Sequence, residues 1–375
     1  MIEPVSNPAG RGFQPRLAAL KGPSYIGFEP VRYDRSPVRI GPVTLESPLA
    51  IAPMAGMTDT AFRRLVKRHG GCGLVVTEMV SAEGLVRGID RTLEYAEYTD
   101  EERPIAIQIF GGDPEKMAAA AQIVEGMGAD IVDVNMGCPV PKIAKHNAGC
   151  SLMREPAHAA TVVAAMAKAV KIPVTVKMRA GWNDDERNAP ALARMLQDAG
   201  AAAVAVHGRT AAQSYTGSAD WDLVARIADD LSIPVFGSGD CLEPEQIVAR
   251  LRSGVEGVLV GRGVLRNPWI LAQAQDLAHG RPARTVTPAQ RGQFLLDYID
   301  LLERERIDQA RAETHDRWVV NKLRALNSWY TKGLENGSHL RVAINSAESV
   351  GALRRLITEF FGVAVRSELA PGAHV

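Results

Sequence analysis

Short and nearly continuous apolar runs recur along the first three quarters of the chain. Eight of them are SPLAIAPM from Ser47, GLVVTEM from Gly73, PIAIQIF from Pro104, ADIVDVNMG from Ala129, PVTVKMRA from Pro173, AAVAVHG from Ala202, PVFGSGD from Pro234 and GVLVGRG from Gly257. Most are apolar at nearly every position, which is typical of parallel strands buried on both faces. The pattern therefore predicts a parallel sheet.

Helical segments lie between most of these runs. Three of them open with an acidic residue followed by proline, at Asp113-Pro114, Glu155-Pro156 and Glu243-Pro244, a combination that favours a first helical turn. The segment 81–98 has helical character but no clean apolar stripe. Eight strands that alternate with helices over residues 47 to about 280 predict an α/β fold of the TIM (β/α)8 barrel type.

The pattern changes on both sides of the barrel. Residues 1–36 are rich in Pro, Gly and Arg without periodicity, which predicts an N-terminal extension. The stretch PVRIGPVTLESP then predicts a hairpin that turns near Gly41. After residue 285 three long helical stretches replace the strands. We therefore expect the barrel domain over residues 37–285 and a small all-helical domain over residues 286–375.

Charge excludes one class of nucleic-acid-binding protein. The 375 residues contain 43 Lys plus Arg and 43 Asp plus Glu, so the chain is not a polycation and any RNA binding needs a local patch. Between Arg317 and Arg341 the five basic residues are opposed only by Glu335. The helical domain is therefore the candidate for such a patch.

Cysteine usage and hydropathy suggest a cytoplasmic protein with reduced thiols. The four cysteines form no CxxC pair and lack the spacing of a zinc or iron–sulfur site, so we expect no metal. The N-terminal segment has no apolar core of the secretory type, and no stretch approaches the roughly 20 apolar residues of a membrane span.

Polar and reactive residues follow the predicted strands at the edge where barrel enzymes carry their chemistry. They are Pro53-Met54, Glu78, Gln108, Asn135 with Cys138, Lys177 with Arg179, His207 with Arg209, Ser238-Gly239-Asp240 and Gly261-Arg262. One such residue is more often structural, but so many converging ends indicate a functional site. The last two turns are suited to a phosphate group. Positive charge on Lys177 and His207 would favour an electron-rich cofactor such as a reduced flavin.

Cys138 stands apart from the other cysteines because it directly follows the fourth strand. Its thiol could act as a nucleophile, as a general acid or in no chemical step, and the absence of a histidine nearby in sequence favours a proton donor. Cys72, Cys150 and Cys241 are better interpreted as small buried hydrophobic residues.

Together these segments resemble the flavin-dependent tRNA-dihydrouridine synthases, and specifically their B-type bacterial branch, which is also called nitrogen-regulation-like. The matching segments are APMAGMTDTAFRRL at 52–65, TEMVSAEGL at 77–85, PIAIQIFG, VNMGCPVPK at 134–142, VKMRAGW at 176–182, HGRT at 207–210, GSGD at 237–240 and GRGVLRNPWI at 261–270. The resemblance covers residues 37 to about 345, and the Asn-x-Gly-Cys-Pro-x-x-Lys segment is its most specific part.

The resemblance implies reduction of the C5=C6 bond of uridine in folded RNA. NADPH would reduce FMN, hydride would pass from flavin N5 to uracil C6, and Cys138 would give a proton to C5 from the opposite face. A D-loop uridine of tRNA is the expected substrate, with ribosomal RNA as the alternative. We expect the protein to act as a monomer.

The resemblance also assigns roles to individual residues. Pro53 and Met54 would line the flavin, Gln108 and Lys177 would hydrogen-bond its ring, and His207 and Arg209 would lie beside it. The ribityl chain and phosphate would be held by Ser238, Gly239, Asp240, Gly261 and Arg262. Asn135 and Arg179 would contact the substrate. Arg317, Lys322 and Arg324 would contact RNA phosphates, and Arg317 and Arg324, seven residues apart, would share one helix face.

Some features of the chain depart from the family pattern. Position 211 is Ala where the family commonly has Arg, and the segment 324–330 lacks two of the usual basic residues. Trp318, Trp329 and Tyr330 would either stack on bases or form a helical core. In the N-terminal extension, Arg11, Arg16 and Lys21 would either touch RNA or be solvated, and we favour solvation.

Two other functions compete with this one. A flavin barrel acting on a free pyrimidine, such as a dihydroorotate or dihydropyrimidine dehydrogenase, is disfavoured by the missing cysteine clusters and by the appended basic helices. A non-catalytic RNA-binding protein that keeps the barrel as a scaffold is disfavoured because the residues at the strand ends are all present.

Overall fold

The computed structural model describes residues 37–144, 147–305 and 312–363. The hairpin predicted near Gly41 is formed by β1 (Val38–Ile40) and β2 (Val43–Leu45), which pair antiparallel. The strands that follow are β3 (Leu49–Ile51), β4 (Val75–Val76), β5 (Val80–Ser81), β6 (Ile105–Phe110), β7 (Ile131–Met136), β8 (Val174–Arg179), β9 (Ala203–His207), β10 (Val235–Ser238) and β11 (Gly257–Val260). The N-terminal extension, with Arg11, Arg16 and Lys21, lies outside the described residues.

These strands form one parallel sheet that closes on itself. Its order is β3-β11-β10-β9-β8-β7-β6-β4, and β5 pairs with β6 beyond the short β4. A parallel bridge between Ala50 and Leu74 joins the two ends of this order, with the Ile51 N–H donating to the Leu74 carbonyl at 3.1 Å. The eight strand positions confirm the predicted TIM barrel.

Helices cover the outside of the barrel. They are α1 (Thr60–Arg68), α2 (Ala82–Val86), α3 (Asp90–Ala96), α4 (Pro114–Gly126), α5 (Pro141–Ala144), α6 (Pro156–Ala169), α7 (Ala189–Asp198), α8 (Trp221–Asp230), α9 (Pro244–Leu251), α10 (Arg262–Arg266) and α11 (Ile270–Ala278), with short 3-10 helices at Asp100–Glu102 and Gly149–Arg154. Asp113 caps α4 by accepting from the N–H groups of Glu115 and Lys116, and Glu243 caps α9. Glu155 makes no side-chain cap bond, so there the proline alone marks the start.

The barrel interior is filled by small and branched apolar side chains. Ala50, Phe236 and Leu259 belong to the same buried cluster as Ile40 and Leu45 of the hairpin. The hairpin therefore closes the N-terminal end of the barrel, which leaves the opposite end, where the strands terminate, open for a site.

In the described residues after the barrel there are four helices. They are α12 (Pro288–Glu305), α13 (Ala312–Tyr330), α14 (Gly337–Ser346) and α15 (Val350–Phe361). The helical domain is confirmed, but the sequence pattern predicted three helices and missed α14, whose buried face consists of only Gly337, Leu340 and Ile344. Within the described part of the chain, no helix is long and apolar enough to cross a membrane.

The helical domain packs directly on α1 of the barrel. The ring of Phe62 meets Phe294 edge-on at 6.0 Å and Tyr298 at 6.4 Å between centroids. Tyr330 is buried, stacks on Phe294 at 5.6 Å and donates its hydroxyl to the Arg291 carbonyl. Of the two interpretations of the aromatic residues, core packing is therefore correct for Tyr330.

Candidate active site

A cleft opens at the C-terminal ends of β3, β8, β9, β10 and β11. Nine of the residues predicted to hold a cofactor line it together, namely Pro53, Met54, Lys177, His207, Ser238, Gly239, Asp240, Gly261 and Arg262. Parallel strands end at the same edge of a barrel, so residues that are far apart in sequence meet here. Gly239 has a φ of 121°, and a Cβ there would approach Ala219 to 2.6 Å and the His207 ring to 3.0 Å. The turn after β10 therefore requires glycine.

Two basic residues of the cleft, Lys177 and His207, differ in their charge. Burial and the repulsion of Arg179 lower the pKa of Lys177 to about 8, so this ammonium is charged at neutral pH and close to losing its proton. Burial, helped by Lys177 and the neighbouring arginines, lowers the pKa of His207 to about 2. The imidazole is therefore neutral, and the expectation that His207 adds positive charge beside a cofactor is wrong.

Beside the cleft, the strand interior carries a continuous chain of hydrogen bonds. Thr175 donates to one carboxylate oxygen of Asp133 at 2.6 Å, and Gln108 Nε2 donates to the other at 2.6 Å. Asn135 Nδ2 donates to Gln108 Oε1 at 2.7 Å. Each of these polar groups is buried and paired, which fixes the orientation of both amides. Sequence reasoning missed Asp133, although a carboxylate inside an apolar strand was a visible signal.

Asn135 in turn holds the loop that carries Cys138. Its Oδ1 accepts from the backbone N–H groups of Gly137 at 3.1 Å and Cys138 at 3.0 Å. The Cys138 carbonyl accepts from the Cys150 N–H at 3.1 Å, so the loop is fastened on both sides. Cys138 is half-buried. The candidate thiol therefore lies at the strand edge on an ordered loop, next to the amide chain.

The other cysteines have a different environment. Burial raises the pKa of the Cys150 thiol to about 11 and that of Cys241 to about 12, which keeps both protonated. Cys72 donates its thiol to the Leu74 carbonyl at 3.3 Å, near the start of β4. Among the residues that the structure describes, no group of three His, Cys, Asp or Glu side chains is arranged to hold a metal ion.

Arg179 ties two loops together. Its Nε donates to the Gly137 carbonyl at 2.8 Å, and one of its terminal nitrogens donates to the carbonyls of Thr210 and Ser214, both at 2.9 Å. The residue is 3% exposed. The structure therefore places Arg179 behind the loop of Cys138, where it has a positioning role, and the predicted substrate contact stays a prediction.

Arg209 is likewise engaged within the protein. Its guanidinium makes two hydrogen bonds to the carboxylate of Asp240, at 2.8 and 2.9 Å, and donates to the carbonyls of Thr216 at 3.0 Å and Gly217 at 2.6 Å. Asp240 also accepts from the Ala219 N–H. Arg209 is buried and shapes the cleft through Asp240, and the described contacts do not place it among the lining residues.

Tyr215 is a cleft residue that sequence reasoning missed. Arg179 and Arg209 fix the loop that carries it, and the ring lies at the mouth of the cleft with 58% of its surface exposed. The guanidinium of Arg262 lies 4.8 Å from its centroid and the ring of His207 lies 6.2 Å away. The tyrosine stands outside any predicted strand or helix, so periodicity gave no signal for it.

The predicted RNA contacts separate in the structure. Arg317 is exposed on α13. Arg324 donates to the Ala347 carbonyl at 2.8 Å, at the end of α14. Lys322 turns toward the barrel, where its ammonium lies 2.9 Å from Asp59 Oδ2. Sharing a helix therefore does not give these residues the same environment: Arg317 is exposed, whereas Lys322 and Arg324 are partly buried and bonded within the protein.

The fold and the site together define a class: a TIM-barrel enzyme whose ligand cleft lies at the C-terminal ends of the strands and whose barrel carries a helical domain packed on α1. The family model for dihydrouridine synthase (Dus) matches residues 50–361. The chain therefore belongs to the dihydrouridine synthase family.

Curated relatives match over nearly their whole length. The chain is 36% identical over 330 residues to the probable tRNA-dihydrouridine synthase of Rickettsia conorii, covering 86% of this chain and 96% of that one. It is 36% identical over 329 residues to tRNA-dihydrouridine synthase B of Xanthomonas campestris, covering 88% and 97%. It is 37% identical over 327 residues to tRNA-dihydrouridine synthase B of Pseudomonas putida, covering 87% of this chain and 95% of that one. The predicted resemblance to the B-type branch is confirmed.

Proposed function

We propose that the protein reduces a uridine of tRNA to 5,6-dihydrouridine, with FMN held in the cleft and NADPH as the reductant. The family membership supports the reaction, and the names of the relatives support tRNA as the substrate. A D-loop uridine is the proposed position, with ribosomal RNA as the alternative, and the protein acts as a cytoplasmic monomer.

The donor set of the cleft suits FMN. Lys177 and Arg262 supply positive charge, and the first N–H groups of α10, which begins at Arg262, have no partner within the helix. A Cβ on Gly261 would meet only Met54 and Ala52, at 3.5 Å or more, so the turn leaves space on the cleft side. A phosphate with an extended polar chain matches these features. Gln108 keeps one amide N–H that is not used by Asp133.

FMN bound in the cleft would supply the hydride. The chain's own residues supply the remaining requirements. Asn135 and Gln108 fix the edge on which the uracil lies, Lys177 presents an ammonium to electron-rich ring atoms, and Cys138 keeps a proton on its thiol for C5. A general acid of this kind must reach its target in the bound complex, and the loop held by Asn135 sets that position.

The test combines substrate and activity. Nucleosides from tRNA and from ribosomal RNA of a strain lacking the gene are compared by mass spectrometry with those of strains that carry the wild-type or the Cys138→Ala gene. We expect one dihydrouridine position in tRNA to disappear and to return only with the wild type. A purified protein that stays colourless and takes up no added FMN would contradict the flavin part, and unchanged dihydrouridine in both RNA classes would contradict the reaction.

A further inference from the structure

Lys322 of α13 joins the helical domain to the edge of the cleft. Its ammonium lies 2.9 Å from Asp59 Oδ2 and 3.7 Å from Glu78 Oε1, and the three side chains are only 16%, 15% and 6% exposed. Tyr298 of α12 donates to the same oxygen of Asp59 at 2.8 Å. Two helices of the helical domain therefore contact Asp59, and α13 also reaches Glu78.

Both carboxylates hold the segment 53–59, which we call the rim loop. Glu78 Oε2 accepts from the Gly56 N–H, and Asp59 Oδ1 accepts from the Phe62 N–H at 2.9 Å, where α1 begins. The rim loop includes Pro53 and Met54, which line the cleft. Lys322 is thus connected to the rim loop, and so to the cofactor side of the site, through Glu78 and the Gly56 N–H.

We propose that Lys322 is a positioning residue that fixes the rim loop from the helical domain, so that docking of that domain and the geometry of the cleft are set together. The effect on catalysis that we infer for Lys322 rests on the proposed function. Buried ion pairs contribute little net stability, and their best-supported use is to select one register over others. A phosphate contact is disfavoured because Asp59 and Glu78 would repel a phosphate that approached the ammonium.

The electrostatics provide a signature that a purely structural residue would lack. Burial raises the pKa of Glu78, Lys322 is the strongest influence that opposes this rise, and Asp59 raises the pKa while Arg63 of α1 lowers it. Without Lys322 the pKa of Glu78 rises further, so the carboxylate gains a proton as the pH falls. The charge-assisted bond to Gly56 then weakens.

The test compares Lys322→Met with Lys322→Arg, which keeps the charge, and with Lys168→Met, which removes an exposed lysine from α6. In Lys322→Met, we expect amide exchange in the rim loop to accelerate about tenfold after correction for intrinsic rates, with a larger effect at lower pH. The rate of dihydrouridine formation in tRNA should fall, while the tRNA Kd and its dependence on salt concentration should not change. Lys322→Arg should restore the slow exchange, and Lys168→Met should behave as wild type.

Two outcomes would overturn the proposal. Unchanged exchange of the rim loop in Lys322→Met would show that the ion pairs do not hold it. Weaker tRNA binding with a salt slope reduced by about one, the value for one lost phosphate contact, would make Lys322 an RNA contact. The exchange measurement needs no activity, so it decides the positioning role even if the wild type forms no dihydrouridine.

Discussion

Cys138 depends on backbone contacts for its position. Asn135 fixes its N–H, and Arg179 fixes the carbonyl of the preceding Gly137. A thiol held in this way is suited to donate one proton to a uracil bound in the site.

We expect Cys138→Ala to slow dihydrouridine formation by about two to four orders of magnitude, the usual contribution of a positioned general acid. NADPH oxidation and FMN content should stay near wild type, because in the proposed mechanism the thiol acts on the uracil and not on the cofactor. Single-turnover assays with tRNA and stopped-flow flavin reduction measure the two steps separately. Cys72→Ala is the matched control and should alter neither, whereas an equal loss of NADPH oxidation in Cys138→Ala would assign the thiol to the cofactor side.

Lys177 provides a pH-dependent prediction at the same scale. Its pKa of about 8 means that the ammonium loses its charge as the pH rises through 8, while His207 stays neutral over this range. FMN affinity should therefore be highest below pH 7 and should fall as the pH rises to about 9. Lys177→Met should weaken binding about 10- to 100-fold at pH 7, the contribution of a charged hydrogen bond.

Flavin fluorescence titrations between pH 6.5 and 9.5 measure this effect. The variant should show a flat profile, since the titrating charge is gone. A Lys177→Met protein that retains the wild-type pH dependence would show that another group controls FMN affinity. Circular dichroism spectra that match the wild type would exclude loss of the barrel as the cause.

At the scale of elements, the sequence predicted the regular strands and most helices, but it did not predict individual side-chain contacts. The eight strands are continuous apolar runs that only a sheet covered on both faces accommodates, so their type and order followed from the sequence. The helix α14 was missed because its buried face comprises three residues and its first is a glycine. Arg179 and Arg209 stood at the predicted strand ends, but their partners are loop carbonyls and, for Arg209, the carboxylate of Asp240, none of which periodicity encodes.

The connection between α11 and α12 depends on one carboxylate. Asp276 accepts from Arg281 at 3.1 Å and from Arg284 at 2.8 Å, and Arg284 also donates to the His69 carbonyl of the barrel at 3.0 Å. These hydrogen bonds, that of Arg284 first, lower the pKa of Asp276 to about 2. The connecting segment is therefore fastened to the barrel by charge.

We expect Asp276→Asn to lower the free energy of unfolding by about 1 to 2 kcal/mol at pH 7, a value reduced for the partial exposure of both arginines. The unfolded carboxyl titrates near 3.9, so the contribution is complete above about pH 5 and is lost as the pH falls toward 2. Urea unfolding at several pH values should show the two proteins converging at about pH 2. The exposed pair of Asp230 and Arg194 supplies the control, because Asp230→Asn should change stability by less than about 0.5 kcal/mol. A difference independent of pH would contradict the electrostatic explanation.

At the scale of the whole molecule, the zero net formal charge means that the proposed tRNA binding depends on exposed cations that carboxylates do not neutralise. The described contacts divide four basic residues of α13 and the turn after it into two groups. Lys322 and Arg324 are held by internal partners. Arg317 and Lys332 are exposed, and the ammonium of Lys332 lies 3.8 Å from the ring centroid of Trp329, which is half-buried. A cation beside an aromatic face is a combination that suits a nucleotide.

We therefore expect the double variant Arg317→Ala, Lys332→Ala to raise the tRNA Kd and to reduce the slope of log K against log salt by about one to two, roughly one for each lost phosphate contact. Arg324→Ala is the informative counterpart: it should lower the melting temperature, because the Ala347 carbonyl loses its donor, while leaving the salt slope unchanged. Filter-binding titrations at four salt concentrations, paired with thermal melts, measure both quantities. An unchanged slope in the double variant would mean that the helical domain does not carry the phosphate contacts. The binding surface would then have to be sought near Lys142, which follows the loop of Cys138, and in the N-terminal extension.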